Sequence, residues 1–329
     1  MIAIPDALPD QKYLMAKKQF FDQRREWNAI VAKEAREDHL MRYLAKAAAE
    51  VNEALPLLRG NYGDGCPASD AEAVLVLADW HYGMKADNIW NKYDTSVCVQ
   101  RVAELREKAV RRLTLHHVKR LHIFVLGDMA NGAIHVTSRV ASEESVVDQL
   151  MHVSEMLAEF ISVLSGYVEE TNVYCTYGNH MRTVQNSKDS IHADNMERII
   201  PWWLKERFYA RSDVWVDVGN GRDSMLHANV CGHEVCAVHG DLDNDRDAGL
   251  VLSQMYERAF GKKLEYVLTG HYHHLRDAEQ YGITSIQAGS LCGTDEYAQK
   301  NRLFATPSQP LLIFTPEDAL DAIYHIKVV

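Results

Sequence analysis

Residues Ile123–Asn131, which read IFVLGDMAN, join a short apolar run directly to a polar cluster that begins at Gly127. An apolar run of this length that ends at a glycine is typical of a buried strand followed by a tight turn. The chain repeats the arrangement at Val74–Ala78, which leads into DWH, and at Val173–Thr176, which leads into YGNH. We therefore expect buried strands that each present polar side chains at their carboxyl ends.

The segments between these runs indicate the fold class. Ser96–Val118 and Ser142–Tyr167 have the length and apolar periodicity of helices, and strands that alternate with helices predict a layered α/β domain. Further helices are predicted around Ile191–Tyr209 and at about Ala248–Phe260. The remaining β-rich runs are predicted as closely spaced strands: Val214–Val218, Met225–Val230, Glu234–Val238, Tyr266–Leu268, Thr284–Gln287, Leu311–Phe314 and Ala322–Val328.

The beginning of the chain has a different character. From about Asp10 to Leu58 it is rich in Ala, Lys, Arg, Glu and Leu, which predicts one long helix or two helices. Three glycines and a proline in Arg59–Pro67 then predict a linker. We therefore expect a helical N-terminal arm and linker over residues 1–66 and a second domain over residues 67–329.

Three interpretations of this arm stay open. It can be an amphipathic helix packed on the second domain, an arm for homo-oligomerisation or a partner protein, or a clamp for a polyanion. The last interpretation draws on charge, since nine Lys and Arg outnumber five Asp and Glu between Lys12 and Lys46.

Composition narrows the classes of protein. The formal net charge of −11, from 35 Lys and Arg against 46 Asp and Glu, argues against a protein that coats nucleic acid by electrostatics alone, although a nuclease stays possible. The chain lacks a long apolar run, and its first residues lack the features of a signal peptide. The six cysteines are scattered, which predicts reduced thiols. We expect a cytoplasmic protein without membrane contact.

Two later runs also end in polar clusters. Val235–Val238 leads into HGD, and Val267–Thr269 leads into GHYHH. Because polar groups in open α/β sheets gather outside the carboxyl ends of strands, we expect all five clusters to converge. The candidate metal ligands are Asp79, His81, Asp128, Asn179, His239, His271 and His273. Carboxylate, imidazole and amide oxygen without Cys suit Mn²⁺, Fe²⁺, Zn²⁺ or Mg²⁺, and seven ligands fit two ions better than one.

The ordered series DxH, GDxxN, GNH, HG and GHxH resembles the calcineurin-like metallophosphoesterase superfamily, and it spans about Ala73 to Gln287. The resemblance implies a β-sandwich of two mixed sheets flanked by helices, here with an N-terminal helical arm. It implies a first metal held by Asp79, His81 and His273, with Asp128 as the bridge to a second metal. The second metal would be completed by Asn179, His239 and His271. His180 would contact the phosphate and protonate the leaving oxygen.

The chain departs from the family pattern beside the expected metal ligands. Met181 and Arg182 follow GNH where many members have an acid, and Asn131 stands where phosphoprotein phosphatases have one. The predicted substrate contacts are Arg182, Asn131 and Arg302. Additional candidates for the wall of the cleft are His135, Arg139 and His192.

The closing run GHYHH followed by GSL is most similar to the branch of DNA-repair exonuclease subunits, which includes bacterial, phage and prophage relatives. This implies a dinuclear phosphodiesterase that hydrolyses DNA by attack of a metal-activated hydroxide, with Mn²⁺ favoured and Mg²⁺, Zn²⁺ or Fe²⁺ also compatible. One alternative is a phosphatase or phosphodiesterase for small nucleotides or phosphoproteins. Another is a non-catalytic interaction scaffold.

Overall fold

The computed structural model describes residues 11–57, 69–134, 136–140, 142–218, 224–244, 246–302 and 304–329. The chain forms two compact units, Met1–Ala54 and Leu55–Val329. The boundary predicted at residues 66 and 67 lies outside the described residues, so it stays a prediction.

The first unit is one helix, α1, which spans Gln11–Ala54. The segment contains neither Gly nor Pro and is rich in Ala, Lys and Glu, so nothing local interrupts its 44 residues. Of the two possibilities that the sequence left open, a single helix is the one observed. Phe20 and Trp27, two large apolar side chains of this helix, are both exposed.

The second unit contains thirteen strands and six helices among its described residues. The strands are β1 (Glu72–Leu77), β2 (Ala86–Asp87), β3 (Lys92–Tyr93), β4 (Arg120–Val125), β5 (Glu170–Cys175), β6 (Val214–Asp217), β7 (Leu226–Val230), β8 (His233–Val238), β9 (Tyr266–Thr269), β10 (Arg276–Gln280), β11 (Ile283–Gln287), β12 (Ser308–Thr315) and β13 (Ala319–Lys327). The helices are α2 (Thr95–Leu115), α3 (Val136–Val140), α4 (Val146–Leu164), α5 (Ile199–Arg207), α6 (Ala248–Phe260) and α7 (Glu296–Asn301).

Two mixed sheets form the centre of this unit. The first has six strands in the order β13-β12-β1-β4-β5-β6, and the second has five in the order β10-β11-β9-β8-β7. In the first sheet β1, β4, β5 and β6 are parallel, and in the second β8, β9 and β11 are parallel. The carboxyl ends of neighbouring parallel strands therefore meet at one edge of each sheet.

The alternation of side chains along β1 shows how the layers pack. Val74 and Val76 belong to the apolar core between the sheets, together with Leu268 of the second sheet. Leu77 points to the opposite face and belongs to a core that includes Leu157 of α4. A third core joins the outer face of the second sheet to α6. The predicted fold class of two mixed sheets flanked by helices is confirmed.

Some predicted elements differ in extent. The helix predicted around Ile191–Tyr209 begins at Ile199, which leaves Pro201 in the first turn, where its missing N–H costs little. The sequence did not predict β10 because its residues RDAEQ are mostly exposed and show no apolar run. No helix in the described ranges is both long enough and apolar enough to cross a membrane.

Candidate metal centre

The loops that follow β1, β4, β5, β8 and β9 bring the five predicted polar clusters together. His81 and His273 are 192 residues apart in the chain, yet their Nε2 atoms lie 3.1 Å from each other. His239 Nε2 lies 3.3 Å from Asp128 Oδ2 and 3.3 Å from Asn179 Oδ1. The convergence that the strand ends predicted is therefore present in the structure.

One group of candidate ligands surrounds Asp79. Its Oδ1 lies 3.6 Å from His273 Nε2 and 3.9 Å from His81 Nε2. Asp79 and His81 are buried, and among the described residues Asp79 Oδ1 and His81 Nδ1 have no hydrogen-bond partner. Buried polar atoms ordinarily have a partner, so a carboxylate oxygen left unpaired beside two imidazoles fits a bound cation.

A second group surrounds Asp128. Ligand atoms of Asp128, His239 and His271 all lie within 4.8 Å of one another. Asp128 forms another such group with His81 and His180. Asp128 therefore stands between the two clusters, at the position that a bridging ligand requires.

Contacts behind the candidate ligands orient them. His239 Nδ1 lies 2.7 Å from the carbonyl oxygen of Leu126, so a proton on Nδ1 is satisfied and Nε2 is directed at the cluster. Asp79 Oδ2 accepts a hydrogen bond of 2.8 Å from the backbone N–H of His271. One carboxylate thus links the loop after β1 to the loop after β9.

The backbone at these positions is strained. The left-handed region is unfavourable for residues other than glycine, yet five candidate ligands have φ between 45° and 68°. They are Asp79, His81, Asp128, His271 and His273. Such conformations cost about 1 kcal/mol or more each and concentrate at functional sites, so the strain itself marks this edge of the sheets.

Burial and neighbouring charges together set the ionisation of the cluster. Burial opposes the charged form of Asp128, but the imidazoles of His180 and His239 outweigh it and hold its pKa well below the usual value. Burial also lowers the pKa of His239, yet Asp128 raises it to about 10. His81 behaves oppositely, since burial and then the nearby His180 and His273 bring its pKa well below 6.5. His81 is therefore a neutral imidazole beside ionised carboxylates, which is the state that binds a divalent cation, whereas His239 would have to release a proton to bind one.

His180 lies at the border of the cluster and is half-buried. Its backbone N–H donates to Asp128 Oδ1 over 2.8 Å, and its Nδ1 lies 2.8 Å from the carbonyl oxygen of Asn131. The centroid of its ring is 4.4 Å from that of His81. The ring is therefore oriented by backbone contacts that do not depend on a metal.

Glu197 is a residue that the sequence did not single out. Its buried carboxylate accepts hydrogen bonds from the backbone N–H groups of Asp128, Met129 and Gly178 at 3.1, 2.6 and 2.7 Å. Burial, followed by the charge of Asp128, raises its pKa to about 7. Glu197 fastens the loop that carries Asp128 to the loop that carries Asn179. It belongs to none of the recognised motifs, so no local signal could have revealed it.

Cys292 is a second such residue. The sequence indicated a ligand set without cysteine, but Cys292 Sγ lies within 4.8 Å of ligand atoms of His81 and His273. Burial raises the pKa of Cys292 well above its usual value, and its Sγ donates to the carbonyl oxygen of Gly293 at 3.6 Å. The thiol would therefore have to lose its proton to bind a metal, and the resulting thiolate would favour Zn²⁺ over the harder Mg²⁺. The five described cysteines are free thiols, in agreement with the expectation from their spacing.

The three predicted substrate contacts occupy different environments. Arg182 is half-buried, and its Nε has no hydrogen-bond partner in the described part of the chain. Asn131 is buried, and its Nδ2 donates to the carbonyl oxygen of Ser138 at 3.2 Å and to Ser142 Oγ at 2.8 Å. Arg302 is exposed at the end of α7. Arg182 is thus poised for an anion, whereas Asn131 would have to give up two contacts to reach a substrate.

The additional candidates for the wall of the cleft also occupy different environments. His135 lies outside the described residues, and Arg139 is exposed at the end of α3. His192 is half-buried with its ring centroid 5.3 Å from that of Tyr177, and its Nε2 has no hydrogen-bond partner among the described residues. The Nε2 of His192 is therefore unpaired but enclosed, and the structure gives no indication of a ligand contact for Arg139.

Comparison with known proteins gives one sequence relative and several solved structures. No family model matches the chain. It is 23% identical over 235 residues to the SPbeta prophage-derived uncharacterized protein YonJ of Bacillus subtilis (strain 168), a match that covers 69% of this chain and 56% of that protein. The chain thus spans little more than half the length of this curated relative.

The solved structures have lower identities. An archaeal phosphodiesterase is 12% identical, with a TM-score of 0.39 and coverage of 78% of this chain and 99% of that one. Vps29 of Chaetomium thermophilum is 10% identical, with a TM-score of 0.36 and coverage of 78% and 98%. A predicted phosphoesterase of Streptococcus pneumoniae TIGR4 is 10% identical, with a TM-score of 0.32 and coverage of 79% and 99%. Likeness at these identities concerns the fold alone.

Proposed function

We propose that this chain is a metal-dependent phosphoesterase of the calcineurin-like metallophosphoesterase superfamily, and that it hydrolyses phosphodiester bonds in DNA. The observation that carries the proposal is the pair of buried ligand groups that meet at Asp128. The unpartnered oxygen of Asp79 and the strained backbone of the candidate ligands support it.

Two divalent ions would be held by the seven ligands that the sequence predicted, with Asp128 shared between them. Bound there, the ions would neutralise charge on the phosphoryl oxygens and lower the pKa of a water molecule. Mn²⁺ is the ion we propose, and Cys292 beside the first group makes Zn²⁺ the main competitor.

The chain's own residues would position the substrate and move the proton. Contacts with Asn131 and Asp128 hold His180 at the border of the cluster, and an imidazole can act as a general acid, so His180 is suited to donate a proton to the departing oxygen. Arg182 follows it by two residues and has an unpaired Nε, so its guanidinium is suited to hold a phosphoryl oxygen.

DNA is proposed as the substrate for two reasons. The motif series resembles the branch of DNA-repair exonuclease subunits, and a sequence relative is described as prophage-derived. Small nucleotides and phosphoproteins are the alternatives, and each would contain a phosphate that the same residues could bind. A non-catalytic scaffold would not need the complete ligand set or His180.

The test is hydrolysis by purified protein stripped with a chelator and reloaded with Mn²⁺, Mg²⁺ or Zn²⁺. The substrates are labelled single-stranded, duplex and hairpin DNA, RNA, cyclic nucleotides and p-nitrophenyl phosphate, with the Asp128→Asn protein as the control. We expect metal-dependent cleavage of DNA by the wild type alone. Efficient hydrolysis of cyclic nucleotides or p-nitrophenyl phosphate with intact DNA would support the small-substrate alternative. Inactivity towards every substrate would contradict the proposal.

A further inference from the structure

An exposed aromatic pair lies on two segments that hydrogen-bond to Cys292 and Thr294. Trp90 is 59% exposed and Phe304 is 60% exposed, and their ring centroids are 5.5 Å apart with 64° between the ring planes. Ile89, next to Trp90, is 83% exposed. Three large apolar side chains in one region of the surface favour a binding role over chance exposure.

Hydrogen bonds attach the turn that carries Trp90 to residues 292–294, which we call the ligand loop. Trp90 lies between β2 and β3, and its backbone N–H donates to Asn88 Oδ1 at 3.0 Å. Asn88 Nδ2 donates to the carbonyl oxygen of Thr294 at 3.1 Å, and Asn91 Nδ2 donates to that of Cys292 at 2.8 Å. Since Cys292 Sγ lies within 4.8 Å of ligand atoms of His81 and His273, the turn that carries Trp90 is bonded to a residue that borders the candidate metal ligands.

The ligand loop also bonds to the segment that carries Phe304. The backbone N–H of Ala305, which follows Phe304, donates to Thr294 Oγ1 at 3.2 Å. Behind both attachments, the largely buried side chain of Arg101 donates to the carbonyl oxygen of Cys292 at 2.8 Å and to Asn91 Oδ1 at 2.9 Å. The two aromatic rings are therefore fixed relative to the ligand loop.

The surroundings of the pair indicate the chemistry of its ligand. Exposed cations, Lys92 and Arg302, each lie two residues from one of the rings in the chain, and Lys92 stands opposite the exposed Asp87 in the β2–β3 ladder. The aromatic faces are suited to a flat, polarisable group, and Arg302 is suited to an attached phosphate, which together describe a nucleotide.

We propose that Trp90 and Phe304 form a stacking platform for a nucleobase next to the scissile phosphodiester. The inference rests on the proposed function and goes beyond it, because it assigns the substrate class to particular residues. Base stacking on an aromatic side chain tolerates any base, so the platform favours single strands without reading sequence.

The test compares two chromogenic diesters with the same leaving group. Thymidine 5′-(p-nitrophenyl phosphate) carries a base, and methyl p-nitrophenyl phosphate does not. For Trp90→Ala and Phe304→Ala we expect KM for the thymidine diester to rise roughly 5- to 100-fold, while kcat/KM for the methyl diester changes less than about twofold. Trp90→Phe should retain most of the affinity because it keeps an aromatic face.

A matched control is Tyr281→Ala, since Tyr281 is 89% exposed and lies in the turn between β10 and β11. It should leave both diesters unaffected, and continued turnover of the methyl diester shows that the platform variants are folded. A second arm measures cleavage of single-stranded and duplex DNA. The wild type should prefer single strands, and the Trp90→Ala, Phe304→Ala double variant should lose that preference, because a base paired within a duplex cannot stack on the rings.

The outcomes separate the two proposals. A wild type that hydrolyses neither diester would contradict the proposed function. A wild type that hydrolyses both, while the Ala variants retain its KM for the thymidine diester, would overturn the platform alone. An effect on DNA without an effect on the thymidine diester would also overturn it, since it would indicate contact with the strand rather than with a base.

Discussion

The two ends of β1, β4 and β5 differ in whether their carboxylates have bonding partners. At the amino ends, Arg120 bonds to Glu72 at 2.7 Å and to Glu170 at 3.0 Å, and His122 bonds to Glu72 at 2.9 Å. Each carboxylate there has a cationic partner. At the carboxyl ends, Asp79 is buried with an oxygen that has no hydrogen-bond partner among the described residues.

The backbone differs in the same way. The amino ends are regular strand, whereas Asp79 and Asp128 at the other ends are in the left-handed region. At the amino ends, the charged side chains pair with one another. The other end contains strained backbone and a buried carboxylate oxygen without a hydrogen-bond partner among the described residues, and such features are common at functional sites.

The largest effect is expected at the shared carboxylate. Asp128→Asn removes one charge from both ligand groups, so we expect metal content to fall by at least half and kcat/KM to fall more than about 10³-fold. The midpoint of thermal unfolding of the metal-free protein should fall, because Asn cannot supply the charge that pairs with the buried imidazole of His239. Metal analysis, kinetics and calorimetry would measure these quantities, with Asp318→Asn, in an exposed turn, as the control. A fully loaded and active variant would refute the bridging role.

His180→Ala separates proton transfer from metal binding. We expect metal content close to that of the wild type and a turnover lowered roughly 10²- to 10⁴-fold, as for loss of a general acid. The measurement is steady-state kinetics together with metal analysis of the same preparation. His152→Ala is the control, since His152 is exposed and bonds to Glu144 instead. Loss of both metals from the His180 variant would show that it is a ligand.

Glu197→Gln tests the link between the loop that carries Asp128 and the loop that carries Asn179. An amide has one acceptor oxygen and directs its NH₂ group at the backbone donors, so the free energy of unfolding should fall by about 2 kcal/mol. Turnover should fall roughly 10-fold because the ligands are held less accurately. Urea unfolding and kinetics measure both, with the exposed Glu257→Gln as the control. Unchanged stability would mean that the three hydrogen bonds contribute nothing.

The smallest effect is expected at the amino ends of β1, β4 and β5, where Glu72 lies. Burial raises the pKa of Glu72, but His122 and then Arg120 outweigh it and hold the pKa below 4.5. The stabilisation is therefore complete above pH 4.5 and is lost as the pH falls through the lowered value. Glu72→Gln should cost about 1 kcal/mol near neutral pH, and urea unfolding at a series of pH values should show the difference shrinking in acid. Activity should not change, and a large loss would remove the distinction between the two ends.

Much of the site was predictable because its information is local. A β-rich apolar run followed by a polar cluster predicts both a buried strand and what stands at its end, as at Ile123–Leu126 and Asp128. Glu197 was not predictable, since its three hydrogen bonds reach residues up to 69 positions away. β10 was missed because an exposed strand carries no apolar signal.

The α/β class, the strands that bear polar ends and the residue types suited to divalent ions could all be predicted from the chain, because each depends on neighbouring residues. The folded protein was needed to show that Cys292 stands beside His81 and His273 and that Trp90 meets Phe304. Those contacts depend on the order of strands in two sheets and on how the sheets pack. Burial of apolar faces from distant segments selects that arrangement, and no single segment contains it.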